Sequence, residues 1–154
     1  MAKRVLGVWI LVGLVACSAI HVRAAAPSEA MKAIVAAYLE IQSQLVADKA
    51  DTIKAQAHGI GAQAAAMGEP GRAIATAAAD VEKAADLKAT REAFGPLSEA
   101  VVAAAKKDGW TDVSGLKLAF CPMVKRSWLQ SQDTLQNPYL GKTMLNCGEF
   151  RKMQ

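Results

Sequence analysis

The sequence is short of the residues from which small stapled proteins and most catalytic sites are built. Its 154 residues include three cysteines and two histidines, and aromatic side chains make up 5% of it. Three cysteines are too few for a disulfide scaffold, and no Cys/His cluster has the spacing of a zinc-built fold. No glycine-rich phosphate loop, Gly-x-Ser-x-Gly elbow or His-Glu-x-x-His pattern occurs. The acids Glu29, Glu40, Asp80, Glu82, Asp86, Glu92 and Glu99 are interleaved with lysines and arginines at helical spacings, as on a solvated face. The chain is therefore not expected to be an enzyme.

An excess of charge of one sign is also missing once the first residues are set apart. The 18 basic and 14 acidic side chains give a formal charge of +4, but Lys3, Arg4 and Arg23 lie within the first 24 residues. The remaining 15 cations nearly balance the 14 acids, which leaves no electrostatic footprint for nucleic acid. With 53% hydrophobic and 21% charged residues, the chain is neither a disordered tail nor a collagen-like fibre. One small packed domain is the remaining class.

The long hydrophobic run that is present, Val5 to Ala16, follows the basic pair Lys3-Arg4 and has the length of a signal-peptide core, too short to span a bilayer comfortably. Two processing readings stand. Leu14-Val15-Ala16-Cys17 has the form of a lipobox, which makes residues 1–16 a lipoprotein signal and Cys17 the lipidated residue. Val22-Arg23-Ala24 before Ala25 offers small residues for ordinary cleavage of a 1–24 signal peptide. Both predict an exported, periplasmic protein, soluble or held to the membrane only by an N-terminal lipid, with its domain spanning 28–154 in an oxidising compartment.

Residues 28 to 107 read as helix. Ile34, Tyr38, Ile41 and Leu45 recur at three- and four-residue spacing, with Ser28 as the cap of a helix to Ala47. Asp48 is placed to cap a second helix through Ile53, Ala57, Ile60, Ala64 and Met67, which Gly68-Glu69-Pro70-Gly71 ends. A third runs from Arg72 to Ala85. A fourth starts at Asp86 or Thr90 and carries Phe94, Leu97, Val101 and Ala105 toward Gly109, with Pro96 predicting a kink or a break. The expected fold class is all-α: an up-and-down bundle of about four helices. Its alanine-rich stripes are thin and need large side chains from elsewhere.

From 109 to 154 alanine almost vanishes, and Trp110, Phe120, Trp128, Tyr139 and Phe150 appear with Cys121, Cys147 and three methionines. Leu116 to Phe120 has extended character, while Asn137-Pro138-Tyr139-Leu140-Gly141 is turn chemistry. About 45 residues cannot bury a core alone, so this is expected to be an irregular lobe packed on the bundle.

Phe120-Cys121-Pro122-Met123, Ser127-Trp128-Leu129-Gln130 and the run Asn137-Pro138-Tyr139-Leu140-Gly141-Lys142-Thr143-Met144-Leu145-Asn146-Cys147-Gly148 carry a resemblance, as do the opening Tyr38-Leu39 helix and Thr90 to Ala100. Together they resemble an uncharacterised periplasmic helical domain family, found alone behind signal peptides or appended to the membrane-fusion subunits of copper and heavy-metal efflux pumps. The gap from Met123 to Trp128 is shorter than in many members, which bears on the loop geometry. The resemblance covers roughly residues 30 to 150. It implies transition-metal handling, with Cys121, Met123, Met144 and Cys147 as the positions to examine and an efflux-system protein as a partner.

Ligand chemistry points the same way, because two thiolates and two thioethers select a soft ion such as Cu(I). Pro122 keeps the Cys121–Met123 segment from being helical, and Met144 stands one turn before Cys147. The alternative is structural: a Cys121–Cys147 disulfide, closing a loop of about 27 residues worth roughly 3–4 kcal/mol, in a non-catalytic interaction module. The two states can also interconvert by reduction. Met123 and Met144 taken singly would ordinarily be core filler. His58 lacks an acid three or four residues away, so a partly exposed helix histidine is expected there, with an auxiliary metal ligand as the lesser reading.

Overall fold

Ser28, itself extended, caps α1 (Glu29–Val46), its hydroxyl accepting the Met31 N–H at 3.3 Å. The computed structural model describes residues 28–110 and 115–153; the leader, its alternative cleavage points and Cys17 lie outside them. The anticipated stripe forms: Met31, Ile34, Val35, Tyr38, Ile41 and Leu45 are buried along one face of α1. Next come α2 (Ile53–Ala66), α3 (Arg72–Lys83) and α4 (Leu87–Lys107). Gly68 adopts φ 68°, and a 3₁₀ turn over Glu69–Gly71 reverses the chain between α2 and α3. Gly71 lies against the Ala64 carbonyl so closely that no side chain fits there. Asp86 caps α4 by accepting the Ala89 N–H at 2.8 Å.

Consecutive helices pack together, and α1 also meets α4, so the four form a bundle. The first and last helices run antiparallel. Asp108, just past α4, accepts the Ser28 N–H at 2.8 Å, while Arg91 near the start of α4 donates to the Leu45 carbonyl at 2.8 Å and to Asp48. Asp48 therefore does not cap α2 as its sequence position implied. It sits at φ 58° and pairs with Arg91, and the residue preceding α2 is Thr52, which makes no side-chain cap bond. Pro96 does not break α4 either. Glu92, Pro96 and Glu99 all lie on the exposed side, so the carbonyl that loses its partner faces water.

The expectation of an all-α chain with an irregular lobe is corrected by a three-stranded antiparallel sheet. β1 (Lys117–Cys121), β2 (Arg126–Gln130) and β3 (Glu149–Arg151) pair in the order β2-β1-β3. Leu118 pairs with Leu129, Ala119 with Trp128 and Cys121 with Arg126, while Ala119 meets Phe150 of β3. Both faces of β1 and β2 are covered, whereas β3 is exposed along its length. Leu118 and Leu129 join the helical core, with Leu116 and Met153 beside them, whereas Ala119, Cys121 and Trp128 form a second cluster beneath Leu135, Tyr139, Leu140 and Cys147. Burial on both sides removes the alternation by which a strand is usually recognised. The short strands also lie below the helix-dominated scale of the rest of the chain.

The sheet is fastened to the bundle by a line of buried hydrogen bonds. The Leu129 N–H donates to the Tyr38 hydroxyl at 3.1 Å, Tyr38 and Ser98 share a bond of 2.6 Å, and Ser98 donates to the Ser127 carbonyl at 2.9 Å. Only one direction satisfies all of them: Tyr38 donates to Ser98. Tyr139 donates to the same Ser127 carbonyl at 2.7 Å. Burial pushes the Tyr38 phenol far up, against the opposing hydrogen bonds of Ser98 and Leu129, and burial likewise raises Tyr139, so both remain neutral donors. Tyr38 stacks on Phe94 at 5.1 Å, Phe94 meets Tyr139 at 5.7 Å, and Tyr139 meets Trp128 edge-on at 6.1 Å. Tyr139 and Trp128 thereby add large rings from the C-terminal part to the two that the alanine-rich helices contribute, Tyr38 and Phe94.

Candidate functional site

Cys121 is the last residue of β1, and Pro122 begins the turn that brings the chain back into β2 at Arg126. Lys125 takes φ 54° to close that turn. The Cys121 side chain is fully buried among Ala119 and Trp128. Cys147 approaches from the other end of the lobe, in a turn where its N–H donates to the Met144 carbonyl at 3.1 Å. Its sulfur stands 2.8 Å from that of Cys121, and Cys147 is only partly buried. Gly148 must follow it. At φ 146° a Cβ there would lie 2.9 Å from both the Phe120 carbonyl oxygen and the Trp128 ring.

Asn137 organises the approach of Cys147. Its side chain is wholly buried and donates from Nδ2 to the Cys147 carbonyl at 2.8 Å. Its Oδ1 accepts the Tyr139 and Leu140 N–H groups at 2.9 and 3.1 Å, and its own N–H donates to the Leu145 carbonyl at 2.7 Å. Arg91 holds the same loop from below by donating to the Pro138 carbonyl at 3.1 Å. The Asn-Pro pair signals a turn in the sequence, but nothing in the sequence says that this asparagine grips the cysteine backbone.

The two thiols are inequivalent. Burial pushes Cys121 up, but hydrogen bonds from Cys147, from the Val124 and Met123 N–H groups and from Asn137 outweigh it and hold Cys121 below the ordinary thiol value. Hydrogen bonding to Cys121 raises Cys147, and desolvation adds to the effect. The two sulfurs therefore titrate as a pair, with Cys121 shifted down and Cys147 shifted up.

Of the four sulfurs singled out in the sequence, the fold brings the two cysteines into contact and leaves both thioethers outside the core. Met123 is 62% exposed and Met144 40% exposed. Neither is therefore core filler, the reading each would have had taken singly, and the cluster around Cys121 closes without them. Each nevertheless stands within three residues of a cysteine whose sulfur touches the other, so both belong to the same end of the sheet. Among the described residues there is no group of three or more His, Cys, Asp or Glu side chains arranged to hold a metal ion.

His58 is apart from the sulfurs, exposed on α2, with its Nδ1 3.2 Å from Glu82 of α3. The acid that orients it comes from a neighbouring helix, 24 residues along the chain, which local spacing does not reveal. Among the described residues no helix is long and apolar enough to cross a membrane.

In comparison with known families, residues 34–112 fit the family described as "Protein of unknown function (DUF3347)". The matched stretch runs from α1 through α4, and the cysteine pair lies beyond it. No curated protein and no solved structure matches the chain.

Proposed function

The chain belongs to that family of unknown function, and we propose that it is a non-catalytic, exported domain that binds a soft transition-metal ion, Cu(I), through sulfur. One observation carries this reading. Cys121 and Cys147 meet at 2.8 Å, and two of the three large apolar side chains exposed among the described residues are Met123 and Met144, the methionines next to them in sequence. A methionine left in water at a position where the core does not need it is a free thioether. Two such thioethers beside two thiols form a donor set that favours Cu(I) over calcium, magnesium or zinc. In this reading Cys121 and Cys147 supply thiolates, Met123 and Met144 close over the ion from outside, and an efflux-system protein receives or delivers it.

The same sulfur contact favours a second reading, a Cys121–Cys147 bridge that pins the loop over the sheet in an interaction module. Competition with a chromophoric cuprous chelator, under full reduction, decides between them. The metal reading expects one Cu(I) per chain, weaker binding in Met144→Leu and Met123→Leu, near abolition in Cys147→Ser, and a strong preference for Cu(I) over zinc. Absence of cuprous affinity in the reduced chain, or undiminished affinity in both cysteine variants, leaves only the structural reading.

A further inference from the structure

The two sulfurs differ in how a large partner reaches them. Cys121 has no exposed surface, enclosed by Ala119, Trp128, Val124 and the loop of Leu135, Tyr139 and Leu140. Cys147 is partly open, in a turn whose neighbours Lys142, Thr143, Met144, Asn146 and Glu149 are all exposed. Thiol–disulfide exchange is a displacement along the sulfur–sulfur axis, so the attacked sulfur must be accessible and the leaving sulfur lies behind it. With the sulfurs in contact, Cys147 satisfies the first condition and Cys121 the second.

We infer that Cys147 is the site at which a protein dithiol of the disulfide-exchange class forms a mixed disulfide with this chain, and that Cys121 is the leaving sulfur. The inference rests on the sulfur pair of the preceding reading and adds the partner that makes its thiols available. Starting from the bridged pair, the partner's thiolate attacks Cys147 Sγ. The Cys121–Cys147 bond breaks, and its electron pair goes to Cys121 Sγ, which takes a proton from water. The partner's second thiolate then attacks the partner sulfur in the mixed bond and expels the Cys147 thiolate, which likewise takes a proton from water. Two electrons have passed from the partner dithiol, which ends as a disulfide, to the pair, which ends as two thiols. The reverse sequence closes the pair again, with an oxidised partner of the same class as the electron acceptor.

The experiment uses the full chain in a Cys17→Ser background, oxidised with glutathione disulfide, and a thioredoxin-class protein whose second cysteine is replaced by serine. This reagent attacks but cannot complete the exchange, so the mixed disulfide persists and can be acid-quenched and mapped by peptide mass. The adduct is expected on the Cys147 peptide in about tenfold excess or more over Cys121, with the preference vanishing in denaturant, where access is equal. Equal or reversed labelling in the native chain, or no adduct although the bridge is intact, overturns the inference. A chain whose intact mass shows no loss of two hydrogens on oxidation also overturns it, by removing the bond to be attacked. Cuprous titration of the same reduced chain is read independently, so failure of the metal reading is distinguished from failure of the attack site.

Discussion

Replacing Tyr38 by phenylalanine removes one oxygen atom from a fully enclosed position and keeps the ring that stacks on Phe94. The oxygen has two bonds, accepting from the Leu129 N–H and donating to Ser98. Their direct loss costs about 1 kcal/mol, and the Leu129 N–H left buried without a partner adds roughly 1–2 kcal/mol. The Ser127 carbonyl is spared because Tyr139 and Ser98 both still donate to it. The total, about 2–3 kcal/mol, corresponds to a fall in Tm of roughly 10 °C for a domain of this size. Urea unfolding followed by circular dichroism, with the thiols kept reduced, measures it as a lower midpoint at unchanged slope. Ser98→Ala should cost less, and the double variant should be less destabilised than the sum of the two, because both substitutions break the same Tyr38–Ser98 bond. A Tyr38→Phe chain within about 0.5 kcal/mol of the parent would refute the proposed fastening of sheet to bundle.

Gly148→Ala places a Cβ at a positive φ against the Phe120 carbonyl and the Trp128 ring, and should cost about 2 kcal/mol or more in the same unfolding assay. Gln130→Leu should cost about 3 kcal/mol, since the buried amide bonds Trp128 Nε1 at 2.9 Å, the Gln136 N–H at 3.1 Å and the Gln132 and Thr134 carbonyls; hydrogen exchange should show the 131–136 loop opening. The hydrogen bond from Arg91 holds the Asp48 carboxyl below its usual range. Its contribution is therefore full above the unfolded-state value near pH 4 and is lost as the pH falls through the lower folded value. The Tm difference between the parent and Asp48→Asn should accordingly be constant at neutral pH and shrink under acid, and a difference that grows under acid would contradict the pairing.

The helices were legible because each is announced locally. Ser28 and Asp86 are caps whose partners lie three residues away, and the stripe from Ile34 to Leu45 is periodic. What the sequence hid depends on distant residues. Asp48 looks like a cap until Arg91, on another helix, is brought beside it. His58 lacks a local acid and finds Glu82 across a helix interface. The extended character of Leu116 to Phe120 did announce β1, but the three- to five-residue β2 and β3 carried no such mark, and the pairing that joins the three into a sheet is not local. At the candidate site the sequence marked the four sulfurs. It marked Asn137 as a turn residue but not as the one that seats Cys147, a part that exists only when residues ten apart are folded together.

The strand order sets a timetable for the chain as it is made. The four helices and the hairpin of β1 and β2 involve neighbouring segments and can assemble in the order in which they emerge, whereas β3 must return to the far side of β1 after the intervening stretch 131–148 has been delivered. Cys121 belongs to the early part and Cys147 to the late part, and the lid that encloses Cys121, formed by Leu135, Tyr139 and Leu140, is late as well. During that interval Cys121 is a solitary, uncovered sulfur beside an uncovered Trp128. A chain truncated before Asn137 should then react with thiol reagents at Cys121, the sulfur that the completed fold encloses.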